Sequence, residues 1–105
     1  MSKIYVENTL KLILTKEELN RITILSKDGK IQVIVDMHQL GAGQAKKLLN
    51  NLIVMLRGEF ELKVIHGYNH GTVIKEIIWN EYQNHKIKTR KADEKNQGVT
   101  YLGIA

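Results

Sequence analysis

The sequence predicts an α/β domain: a βαβαββ core with a mainly parallel sheet and an antiparallel closing strand, preceded by extra amino-terminal strands. Three observations predict it. Short apolar runs of strand length alternate with two segments whose apolar residues recur at three-four spacing, as in strands joined by packed helices. Asp28-Gly29, a strong hairpin signal, separates Ile22–Leu25 from Ile31–Met37. Asn96-Gln97-Gly98 turns the chain back into a last apolar strand.

The elements follow in order. Ile4 to Leu14 has strand character, because Leu10, Leu12 and Leu14 alternate. Thr15 followed by Glu18 is a capping box, which starts a short helix over Lys16 to Arg21. Beyond the Asp28-Gly29 turn, Ile31, Val33, Val35 and Met37 share one strand face. Asp36 and His38 project from the other, two residues apart and therefore side by side. Ala45, Leu48, Leu49, Leu52, Ile53 and Leu56 form the buried face of a helix, and Gly58 sits where a helix usually stops. Leu62 to Ile65 is a short buried strand. Ile74, Ile77, Ile78 and Tyr82 mark a second helix, with Trp79 off its apolar face, suited to packing on a neighbouring segment or to stacking on a base. Ile87 lies in a strand whose other face carries Lys86, Lys88 and Arg90, and Val99 to Ile104 closes the sheet.

Composition narrows the functional classes. At 105 residues the chain holds one core. Residues 31–105 make up the α/β core, and residues 1–30 are an extension packed on it. Hydrophobic content of 43% and charged content of 26% describe a globular chain, not a disordered tail. Without cysteine there is no disulfide and no thiolate metal cage, which fits a reducing, cytoplasmic setting. No signal-peptide core opens the chain, and Asn50, Asn51 and Arg57 interrupt its most apolar helix, so no membrane span is expected. The net charge of +5 favours polyanionic partners such as DNA or RNA. Lys86, Lys88 and Arg90 are the candidate phosphate contacts, although the same charges protect an edge strand from unwanted pairing.

The candidate chemistry concentrates in two strand-end elements, Val35-Asp36-Met37-His38 and His66-Gly67-Tyr68-Asn69-His70-Gly71. Right-handed crossovers return both strands in one direction, so the two elements meet at the carboxyl edge of the sheet, where open α/β sheets bind ligands. Glycines let a ligand approach the backbone, and a loop opening into a helix offers amides to phosphate. Asp36 can orient His38, and His38 can move a proton. The plainer reading is an aspartate that caps the next helix beside a histidine held by hydrogen bonds. Tyr68, at the loop tip, is a candidate for stacking on a base. Asp36, His38, His66 and His70 lack the tight spacing of a zinc site. A Mg²⁺ or Mn²⁺ ion assisting phosphate chemistry would need fewer protein ligands.

Those two elements, together with Gly98-Val99-Thr100, resemble the small MutS-related (Smr) domain family over roughly Ile31 to Ala105. That family carries Leu-Asp-x-His after its first core strand, His-Gly-x-Gly-x-Gly after its second, and a Gly-Val-Thr ending. The resemblance implies a nucleic-acid-binding domain. Some members nick DNA, some cleave RNA, and others bind without clear cleavage. It carries over Asp36 and His38 as active-site groups, and His66, Gly67 and Gly71 as a phosphate-binding loop. With these go His66 as a third candidate catalytic group, stabilising charge or protonating the leaving oxygen, and Tyr68, Asn69 and His70 as the rest of the candidate phosphate-binding loop. The chain departs from the pattern at Gln39, where a glycine commonly follows the histidine. Asn69 replaces the middle loop glycine, and His70 replaces a small hydroxyl residue. The alternatives are a non-catalytic binding module and a small self-associating interaction protein.

Overall fold

A computed structural model describes residues 1–68 and 72–105. Its first element departs from expectation: Ile4 to Leu14 is not a strand but most of a helix, α1 (Lys3–Ile13). Ser2 caps it by accepting the Tyr5 amide at 3.1 Å. The reason lies in spacing. Val6, Leu10 and Leu14 are four residues apart and all buried, whereas Leu12, which alternation would bury with Leu10 and Leu14, is 86% exposed. The Thr15–Glu18 capping box forms as expected and opens α2 (Lys16–Asn20).

The hairpin forms where Asp28-Gly29 predicts it, with both turn residues at positive φ. It joins β1 (Ile22–Lys27) to β2 (Lys30–Asp36). The next helix, α3 (Ala42–Met55), buries Ala45, Leu48, Leu49, Leu52 and Ile53, as their spacing predicts. Then come β3 (Phe60–Ile65) and a short helix α4 (Val73–Glu76) that widens into a π turn over Ile77–Glu81. The chain ends with β4 (Ile87–Ala92) and β5 (Val99–Ile104).

These strands form one five-stranded mixed sheet in the order β1-β2-β3-β5-β4. The sheet is mostly antiparallel, with β2 and β3 its one parallel pair, which corrects the expectation of a mainly parallel sheet. The extra amino-terminal strands reduce to one, β1. The physical reason for the mixed sheet is the placement of β5. Val99, Thr100, Leu102 and Ile104 are buried, so this strand takes an interior position between β3 and β4. β4, read Ile-Lys-Thr-Arg-Lys-Ala, carries charge suited to an edge. β2, β3 and β4 still run the same way, but β4 is separated from β3 by one antiparallel neighbour.

One face of the sheet carries the core. Val33, Val35, Leu62, Val64 and Leu102 are fully buried there, in one cluster with Val6 and Leu10 of α1, Leu48 and Leu52 of α3, and Ile74 of α4. Each such side chain contributes roughly 1.5–3 kcal/mol by leaving water. The opposite face, carrying Gln32, Ile34, Lys63 and Tyr101, is only half-buried. No helix among the described residues is long and apolar enough to cross a membrane.

Because Leu10 is 1% exposed and Leu12 is 86% exposed, the helical reading of α1 makes a sharp contrast. Leu10→Ala should lower stability by about 2–5 kcal/mol in urea unfolding. Leu12→Lys should leave the midpoint nearly unchanged.

Candidate functional site

The carboxyl ends of β2 and β3 lie side by side, because their register sets Asp36 against Ile65. The Met37 amide extends the pairing by donating to the Ile65 carbonyl at 2.8 Å. His38 then leaves the sheet. Asp36 Oδ1 accepts the His38 amide at 3.1 Å and also contacts its ring Nδ1. Asp36 is therefore committed to His38 and does not cap α3, which has no side-chain cap among the described residues. With Nδ1–H donated to the carboxylate, a neutral His38 keeps its Nε2 lone pair free for a proton.

Gln39, the residue after His38, has φ +66°, a conformation that suits glycine and costs other residues roughly 1–2 kcal/mol. It is held from outside. Arg21, at the end of α2, donates from NH1 to the carbonyl oxygens of Asp36 (3.0 Å) and His38 (3.2 Å).

His66 follows β3 and is 5% exposed, with both ring nitrogens engaged. Its Nδ1 lies 2.8 Å from the Gly67 carbonyl, an acceptor, so Nδ1 carries the proton. Nε2 then accepts from the Thr100 hydroxyl at 2.9 Å, and Thr100 Oγ1 accepts the Trp79 indole N–H at 3.1 Å. Burial pushes the His66 imidazole below the ordinary histidine value, and the Lys75 charge acts in the same direction. The Gly67 hydrogen bond opposes both. His66 is thus a neutral strut between Thr100 and the Gly67 turn. Trp79 packs against the core, and its N–H is satisfied.

Gly67 and Gly98 explain each other. The Gly98 carbonyl accepts the amides of His66 (2.8 Å) and Gly67 (3.1 Å). A Cβ at Gly98 would stand 3.0 Å from the Gly67 Cα, so a side chain there would have to push the Gly67 backbone aside by a few tenths of an ångström. Gly67 itself turns at φ +72°. From there a Cβ would be 3.6 Å from that of His38, which shows how near the two strand-end elements come.

Between these elements is a cavity of about 540 Å³. His38, Gly67 and the half-exposed Tyr68 line it, with Leu40 and Ile74 as apolar walls and Gly41 and Ala42 at the start of α3. The first amides of a helix have no acceptor within it and carry a partial positive charge. Among the described residues, nothing beyond the chain neighbours and the helix's own backbone lies within 4 Å of where a Cβ at Gly41 or Gly43 would be. Sequence reasoning missed this helix start. The signal was Gly41-Ala42-Gly43 ahead of an apolar helical pattern. The expected phosphate-binding residues Asn69, His70 and Gly71 lie outside the described residues.

Two of the three basic residues of β4 and its approach are engaged within the fold. Lys86 Nζ donates to the carbonyls of Ile53 and Leu56 (2.5 and 2.6 Å), closing the end of α3. Arg90 donates to Ile78 and Tyr82 (3.0 and 3.1 Å), closing the π turn. An irregularity between Ile87 and Thr89 breaks the alternation that would have aligned them. Exposed Lys88 bonds only the nearby His85 carbonyl. Among the described residues, no three His, Cys, Asp or Glu side chains are grouped to hold a metal ion.

This geometry defines a mixed α/β protein with a strand-end cavity, an aspartate-oriented histidine and, among the described residues, a helix start without a side-chain cap. Compared with protein-family models, curated proteins and solved structures, the chain matches none.

Two measurements check the assignments of His66 and Lys86. His66 should favour the unfolded state in acid, because its folded-state pKa lies below the unfolded value of about 6.5. Its contribution should be complete above pH 6.5 and shrink as pH falls from there through the folded-state value. His66→Gln should flatten that part of the melting-temperature profile. Lys86→Ala should destabilise by about 1.5–3 kcal/mol, through loss of charged hydrogen bonds to half-buried carbonyls, while Lys88→Ala should change little.

Proposed function

We propose that this chain is an Smr-like nucleic-acid-binding domain that acts on the phosphodiester backbone of DNA or RNA. On this reading residues 31–105 supply the βαβαββ core of such a domain and residues 1–30 extend it. The observation that carries the proposal is the position of His38: oriented by Asp36, it lines the cavity that also holds the open start of α3. A phosphate oxygen would accept from the α3 amides and the Gly67 turn. His38 Nε2 would take a proton from the attacking hydroxyl, a ribose 2′-OH or water, as that oxygen bonds phosphorus and the bond from phosphorus to the leaving oxygen breaks. The leaving oxygen takes a proton from solvent, and Asp36 stabilises the imidazolium formed. Amides already aimed at the phosphate would stabilise charge that grows in the transition state. His66, with both nitrogens engaged, supports the loop instead of protonating the leaving oxygen.

That same engagement favours a second reading, a module that grips the backbone without cutting it. Among the described residues the cavity is lined by no carboxylate or ammonium, its second imidazole, His66, has both nitrogens engaged, and beside His38 only the Tyr68 phenol remains as an acid–base group.

The deciding experiment is a cleavage and binding assay on RNA and on single-stranded, duplex and branched DNA, with and without Mg²⁺ or Mn²⁺. Binding should weaken as salt rises, because phosphate contacts release condensed counterions. If His38 is the base, His38→Ala should lower the cleavage rate by about 10²–10⁴-fold with binding nearly intact. A variant as active as the parent would remove His38 from the chemistry. Salt-sensitive binding with no cleavage on any substrate would establish the module.

A further inference from the structure

β1 pairs with β2 as far as Ile22 opposite Val35, and past that pair Arg21 holds the segment carrying Asp36 and His38 with three hydrogen bonds. Its carbonyl accepts the Asp36 amide at 2.9 Å, and its NH1 donates to the carbonyls of Asp36 and His38. These bonds grip the chain on both sides of Met37, which is itself fully buried. Among the described residues no carboxylate pairs with Arg21, so its charge is directed at the two carbonyls. Charge-assisted hydrogen bonds of this kind are stronger than neutral ones, and the planar guanidinium fixes their directions.

The grip has a consequence for the side chains between the two bonded carbonyls. Past the sheet the backbone turns through the positive φ of Gln39, a strained step that an unheld chain would relax. Relaxation at His38 would swing its ring away from Asp36, since Asp36 Oδ1 holds both the amide and Nδ1 of that one residue.

We infer that Arg21 is a positioning residue for His38: by clamping the Asp36 and His38 carbonyls it keeps Nδ1–H on the aspartate and Nε2 free. Its catalytic meaning rests on the proposed role of His38, whereas its geometric meaning does not. The amino-terminal segment is then a working part of the site, because α2 and the turn after it deliver this guanidinium.

The test reads the His38 ring directly. Nitrogen-15 spectra of the full chain at a pH where the ring is neutral should show His38 as the Nδ1–H tautomer. Arg21→Met keeps an apolar stem and removes the donors. It should move His38 towards the Nε2–H form that an unconstrained imidazole prefers. Arg21→Lys retains an ammonium that can reach a carbonyl, so it should give an intermediate mixture, and it serves if the methionine variant does not fold. In a cleavage assay Arg21→Met should lower kcat by about ten- to a hundredfold with KM little changed, the signature of a displaced reacting group. Wild-type protein that cleaves nothing would sink the reading of His38 as a base, yet the spectra would still decide the clamp. If both variants merely melt earlier and keep His38 in the Nδ1–H form, Arg21 only braces the fold and the inference is overturned.

Discussion

Asp36 stands opposite Ile65 in the only parallel ladder among the described strands, and the Met37 amide closes that ladder on the Ile65 carbonyl. Strand side chains alternate, so a slip of one residue would turn Val33, Val35 and Met37 outward and drive Asp36 into the core. The register therefore selects both the buried face and the reactive edge. It also sets the distance between elements contributed by distant parts of the chain. The start of α3 follows from the end of β2, and the Gly67 turn follows from the end of β3. Gly98 enters beside them because β5 pairs with β3 from Ile65 opposite Val99 onward.

Positive charge has a different use here from the one composition suggests. Arg21, Lys86 and Arg90 each direct a cationic group at main-chain carbonyls where a regular element ends. Such ends leave acceptors without partners, and a long basic side chain can reach them while its stem covers apolar surface. A net charge of +5 thus counts several groups that close the fold, so charge alone does not outline a binding surface.

Much of the fold was legible in the sequence because local signals and burial agreed. The capping box at Thr15, the Asp28-Gly29 turn and the spacing from Ala45 to Leu56 each had one dominant physical outcome. α1 was misread because Leu10, Leu12 and Leu14 fit alternation locally, and only the wider Val6-Leu10-Leu14 spacing distinguishes a helix. The sheet was misread because strand order is decided by competition for the interior. Chain order says little about which of β4 and β5 wins it. At the site, Asp36, His38, His66 and Gly67 were found from strand ends and glycine content. The contributions of Arg21 and Thr100 arise from tertiary contacts and have no local pattern of their own, whereas the α3 start has one in Gly41-Ala42-Gly43.

Trp79, the one tryptophan of the chain, donates its indole N–H to Thr100, which in turn bonds His66 beneath the Gly67 turn. The hydrogen-bonding strut therefore ends in a fluorophore. Indole emission responds to the polarity and hydrogen bonding around the ring. Any ligand or proton that displaces His66 is relayed through a single hydroxyl to that ring. The protein consequently carries a built-in optical reporter of the Gly67 turn, readable without a label or a substrate analogue.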